Sequence, residues 1–82
     1  MSVKQKLIER FKTKPKNFTW KETITLCQSL GFSEIQGSGS RVKFFHERLD
    51  FVICIHRPHP STIVKEYVLR QLLDTLERKE LI

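Results

Sequence analysis

Two short stretches each group side chains able to grip a phosphate or move a proton. The first is Gly37-Ser38-Gly39-Ser40-Arg41, followed by Val42, Lys43 and the pair Phe44–Phe45. Glycines can take positive φ and turn successive amides toward one point, a nest suited to an anion. Ser38 and Ser40 add hydroxyl donors, and Arg41 and Lys43 add charge. The same residues also make an ordinary hairpin loop, because Gly/Ser turns are common. No Walker-type G-x-x-x-x-G-K run occurs in the chain.

The second stretch is His56-Arg57-Pro58-His59-Pro60. Imidazoles titrate near neutrality and can pass protons. A ribonuclease that works without metal needs such groups, one to take the 2′-hydroxyl proton and one to protonate the leaving oxygen. Arg57 can stabilise charge on the phosphate. The plainer reading is that His56 ends a strand and His59 caps a turn. Two histidines three apart, with no cysteine or carboxylate beside them, supply too few ligands for zinc. Neither a metal nor any other cofactor is therefore expected. No G-x-S-x-G elbow points to serine hydrolase chemistry. His46, beside Glu47, reads as a structural histidine.

Composition narrows the partners. The chain has 82 residues, with 15 Lys and Arg against nine Asp and Glu, a net charge of +6. One domain of this size needs most of its large apolar side chains for its core. That argues for a binding surface or a shallow active site, and against a deep cofactor pocket. The positive charge makes nucleic acid the first candidate partner, an anionic protein the second and a membrane surface the third. Cys27 and Cys54 fall on apolar periodic positions, which predicts buried, reduced thiols in a cytoplasmic protein. The first residues lack the apolar core of a secretory signal, and no run reaches the length of a membrane span.

The elements that must position these groups follow from periodicity. Leu7, Ile8 and Phe11, with Val3 a turn earlier, predict an amphipathic helix over 3–12. Pro15 disfavours helix at Lys14 and opens a basic connector. Thr19-Trp20-Lys21-Glu22 has the form of a capping box, and Gly31 stands where a helix terminator belongs, giving a helix over 20–30. "FSEIQ" and "RVKFFHE" then read as strands, the second with Val42 and Phe44 on one side and Arg41, Lys43 and Phe45 on the other. "ERLD" is a turn. "DFVICIH" has the highest β-propensity in the chain and is expected to be a central, well-buried strand. The helical period returns from Ser61, with Val64, Val68, Leu69, Leu72, Leu73 and Leu76 as its apolar stripe and "ERKELI" as a frayed end. The expected fold is α+β: a three-stranded antiparallel sheet with two helices on one face, plus an extra N-terminal helix. The order α-β-β-β-α is that of double-stranded-RNA-binding domains, which read A-form helices by shape and phosphate contacts. Residues 1–18 form the N-terminal helix and connector, and residues 19–82 the domain proper.

In this register, "LGF", "GSGSRVKF", "HRPHP" and "KEYVLRQLLDTL" together resemble the HicA toxins of bacterial toxin–antitoxin modules, over residues 19 to about 80. The resemblance implies a small ribonuclease that cleaves mRNA and is neutralised by a HicB antitoxin. Members of the family commonly carry an active-site histidine after the Gly-Ser pair of this loop. Here that place is taken by Arg41. Proton transfer is then assigned to His59 and His56, and phosphate or RNA binding to Ser38, Gly39, Ser40, Arg41, Lys43 and Arg57. The alternatives are a non-catalytic RNA-binding module of the same fold, and a protein-interaction domain whose basic face docks an acidic partner such as the antitoxin.

Overall fold

Side chains of Arg41–His46 run exposed, buried, exposed, buried, half-buried, buried. Val42, Phe44 and His46 therefore enter the interior, while Arg41 and Lys43 stay in water, the period-two pattern of a half-buried strand. The computed structural model describes residues 3–36, 39–58 and 61–82. Its elements are α1 (Val3–Lys12), α2 (Trp20–Ser29), β1 (Phe32–Gln36), β2 (Arg41–His46), β3 (Phe51–His56) and α3 (Glu66–Arg78). The fold is α+β in the predicted order, with an antiparallel sheet arranged β1-β2-β3.

Strand order corrects one expectation. β2, and not β3, is the middle strand, so "DFVICIH" lies at an edge and is only half buried. Cys54 is exposed as a result, against the expectation that both thiols are buried, whereas Cys27 is fully buried. High β-propensity marks a strand but carries no information about its place in the sheet.

All three helices contribute to a single core on one face of the sheet. Phe11, Phe18, Leu26, Phe44, Leu69 and Leu76 are completely buried in it. Burying each such side chain is worth about 1.5–3 kcal/mol relative to leaving it exposed. Trp20 packs against Phe44 with ring centroids 6.1 Å apart, which seats the start of α2 on the middle strand. Its N-terminus is held as the sequence predicts: Glu22 N–H donates to Thr19 Oγ1 (3.1 Å), and Thr19 N–H donates to the Glu22 carboxylate (3.0 Å). Arg10 Nε donates to the same carboxylate at 2.8 Å, tying α1 to the cap. At the other end of α2, Gly31 has φ +100°.

Two further expectations are revised near α3. The helix starts at Glu66, not Ser61, because residues 62–64 run extended beside 18–20. Trp20 N–H donates to Thr62 C=O (2.7 Å) and Val64 N–H to Phe18 C=O (2.8 Å). At the chain end, Leu81 N–H donates to Leu76 C=O (2.9 Å), and Leu81 and Ile82 pack on the core instead of fraying.

Candidate nucleic-acid interface

The helices cover one face of the sheet and leave the other open. On that open face stand Arg41, Lys43 and the half-buried Phe45 from β2, Ile35 from β1, and Val52, Cys54 and His56 from β3. The face is therefore basic and partly apolar. Ile35 and Val52 are each about half exposed, at 47% and 51%.

The hairpin of β2 and β3 decides which charges meet. Its turn occupies residues 47–50 with Asp50 at φ +52°, so His46 faces Phe51 and, at the far end, Arg41 faces His56. Arg57 N–H donates to Ser40 C=O at 2.7 Å. That bond sets the phase of the ladder, making Ser40 and Arg57 a hydrogen-bonded pair and Arg41 and His56 a non-hydrogen-bonded one. In such a pair the side chains lie side by side on one face, with Cβ atoms roughly 4.5–5.5 Å apart. Lys43, two residues along, faces Cys54 on one side and Ile35 on the other.

The two chemical stretches are thus joined directly. Ser40 of the glycine loop is bonded to Arg57, and Arg41 stands across from His56. Gly39 has φ +66°, and among the described residues no atom lies within 4 Å of the place a Cβ would occupy, so glycine there serves the backbone turn. Ser40, Arg41, Lys43, His56 and Arg57 are all exposed. Gly37, Ser38 and His59 lie outside the described residues. Beyond Arg57 the surface dips into a depression lined by His56, Arg57, Ser61, Lys65 and Tyr67. Sequence reasoning assigned no binding role to Lys65, at the N-cap of α3, or to Tyr67 within it, because no motif links either to the histidine stretch.

The third histidine is built differently. His46 is 3% exposed, and Leu49 N–H donates to its Nδ1 at 3.1 Å. Only an unprotonated Nδ1 can accept that bond, so the proton sits on Nε2, which donates to Leu30 C=O at 3.1 Å. His46 closes the C-terminus of α2 onto the β2–β3 turn, and both its ring nitrogens are occupied in doing so.

A basic sheet face with a histidine beside an arginine suits phosphodiester chemistry, but fold and charge alone do not name a family. A family model described as the HicA toxin of bacterial toxin–antitoxin systems matches residues 20–77, well over half of the chain. The chain belongs to the HicA toxin family. A toxin role, and a cognate antitoxin as partner, follow from that membership. The match starts at the first residue of α2 and ends one short of the last residue of α3, leaving α1 outside it. Comparison with curated proteins and with solved structures finds no match. Among the described residues, no helix of this HicA-family chain is long and apolar enough to cross a membrane.

Proposed function

We propose that this HicA-family toxin is a cytoplasmic endoribonuclease that cleaves mRNA through the 2′-hydroxyl, with no metal taking part. The observation that supports this reading is the cross-strand pairing of Arg41 with His56. Arg41 fills the loop position where the family resemblance calls for a histidine. Directly opposite, on the same exposed face, β3 supplies an imidazole. Arg41 and Lys43 hold the scissile phosphate, with Ser38, Gly39, Ser40 and Arg57 as further phosphate contacts. One of His56 and His59 takes the proton from the 2′-hydroxyl as its oxygen attacks phosphorus. The P–O5′ bond breaks, the other histidine protonates the leaving 5′-oxygen, and a 2′,3′-cyclic phosphate remains.

The test is to induce the protein, map transcript ends and assay purified protein on a defined RNA. His56→Ala is expected to lower cleavage by roughly 10²–10⁴-fold, the usual contribution of a positioned acid or base. Arg41→Ala is expected to weaken RNA binding and flatten its salt dependence by about one unit of slope. If His56→Ala and His59→Ala each cut as fast as the parent, the mechanism is wrong.

A second reading is favoured by Arg41 itself, since a guanidinium is not a general base at neutral pH. In that reading the domain binds RNA without cutting it. It predicts salt-sensitive retention of RNA with no new cyclic or 3′-phosphate ends.

A further inference from the structure

β3 is an edge strand, and the ladder phase shows which of its backbone groups are spare. Arg57 and Ser40 form a hydrogen-bonded pair, so by alternation Ile55, Ile53 and Phe51 also direct their N–H and C=O groups to β2. The groups of Val52, Cys54 and His56 point away from the sheet. Among the described residues none of them has a backbone partner.

Exposed edges are ordinarily blunted by charges, prolines or bulges, because an open edge invites another strand. β1, the opposite edge, carries such a guard: Glu34 faces Phe44, on the same side of the sheet as the core. β3 carries none between Phe51 and Ile55, where every residue is apolar and the pairing with β2 is unbroken. Beside this edge the surface is grooved, with Ile53–His56 as one wall and Tyr67, Val68 and Gln71 of α3 as the other. Tyr67 is 60% exposed and stands at the mouth of the groove. The groove runs on into the depression at Arg57 and Lys65, neither of which has an ion-pair partner among the described residues.

We propose that β3 is a docking edge onto which an acidic protein partner adds an extended segment as a fourth strand, antiparallel or parallel to β3. The segment pairs with the backbone of Val52, Cys54 and His56, lays apolar side chains against Val52 and Tyr67, and brings carboxylates to Arg57 and Lys65. This is strand addition, in which main-chain bonds supply affinity and flanking side chains supply selectivity. Charge selects the occupant. A second copy of a chain with net charge +6 is repelled on balance, whereas an acidic segment meets its complement. RNA has the right charge but no alternating amide donors and carbonyl acceptors to continue a ladder. The partner is identified with the antitoxin, a step that rests on membership of the toxin family and not on ribonuclease activity.

The experiment uses the full chain, free and in complex with its cognate antitoxin, with RNA added only in a separate arm. Amide hydrogen exchange is read at Val52, Cys54 and His56. These amides are expected to exchange freely in the toxin alone and to slow at least 100-fold in the complex. Ile53 and Ile55 are expected to be protected in both states. Cys54→Pro removes one outward amide without touching the ladder to β2, a change that edge strands tolerate. It is expected to weaken antitoxin binding at least tenfold while leaving the Trp20 fluorescence unfolding curve in place. Unchanged exchange at the three amides within a stable complex overturns the proposal. So does full-strength binding by folded Cys54→Pro, or free toxin that dimerises and forms a Cys54–Cys54 disulfide. Protection by RNA alone, with none by antitoxin, also overturns it. A toxin that proves inactive on RNA leaves every one of these outcomes readable.

Discussion

Replacing His46 separates a histidine that holds the fold from those assigned to chemistry. In His46→Ala the buried Leu30 carbonyl and the part-buried Leu49 amide both lose their partner. Each hydrogen bond contributes about 1 kcal/mol net, and an orphaned buried group costs about 1–3 kcal/mol. The ring also meets Phe32 edge-on at 5.0 Å and stacks on Phe51 at 5.8 Å between centroids. Such contacts add about 0.5–1.5 kcal/mol. The total is about 3 kcal/mol, against roughly 4–12 kcal/mol for a domain of this length at 0.05–0.15 kcal/mol per residue.

Urea unfolding followed by Trp20 fluorescence is a direct assay, because the single tryptophan is 8% exposed and packed on Phe44. With a slope of about 1–1.5 kcal/mol per molar urea, the midpoint is expected to fall by about 2–3 M. His46→Phe, which keeps the ring and loses both bonds, should fall between parent and His46→Ala. RNA cleavage per folded molecule should be unchanged. If His46→Ala unfolds within about 0.5 M of the parent, the two bonds do not hold the end of α2 as argued, whatever the slope adopted. If it keeps its stability and loses cleavage, His46 belongs with the catalytic groups.

Three other expectations rest on equally local observations. Gly31→Ala forces a side chain into φ +100° and sets its Cβ 3.0 Å from His46 Nε2. A loss of about 1–2 kcal/mol from backbone strain alone is expected in the same urea assay. The Glu22 carboxyl is held below its ordinary value near 4.5, chiefly by its hydrogen bond from Arg10 and also by the Thr19 amide and hydroxyl. A depressed carboxyl stabilises the fold above its unfolded pKa and loses that effect as pH falls through the folded one. The stability advantage of the parent over Glu22→Gln should therefore be full at pH 7 and close progressively below about pH 4.5, as pH-dependent urea midpoints will show. Burial pushes the Cys27 thiol up to about 12, whereas Cys54 is exposed. A thiol reagent at pH 8 should label Cys54 promptly and reach Cys27 only in denaturant.

What could be read in advance was local. The capping box and Gly31 bounded α2 because each acts through its own backbone within a few residues. Alternation gave the faces of β2 because side-chain direction has period two. The errors over α3 and β3 were non-local. The apolar stripe from Val64 onward reads as helix from Ser61, but the amide of Trp20 and the carbonyl of Phe18 need partners, and Thr62 and Val64 supply them in extended form. Nothing within "DFVICIH" says which neighbours flank it, so its place at the edge, and with it the exposure of Cys54, escaped a reading by propensity.

The candidate site sits between these two cases. The glycine loop and the histidine stretch are fifteen residues apart at Arg41 and His56, and no local rule joins them. Yet the turn at 47–50 has four residues, which places His46 opposite Phe51, and an unbulged ladder then makes His56 the partner of Arg41 on β3. The side chain of His56 must also share the face of Arg41, since both are an odd number of residues from that closing pair. A one-residue slip would bury the imidazole and turn Ile55 outward, exchanging a buried apolar side chain for a buried polar one without a partner. Core packing at Val42, Phe44 and Ile55 therefore enforces the register that brings the imidazole to the guanidinium. The geometry proposed for chemistry on the open face is held by the apolar side chains on the other.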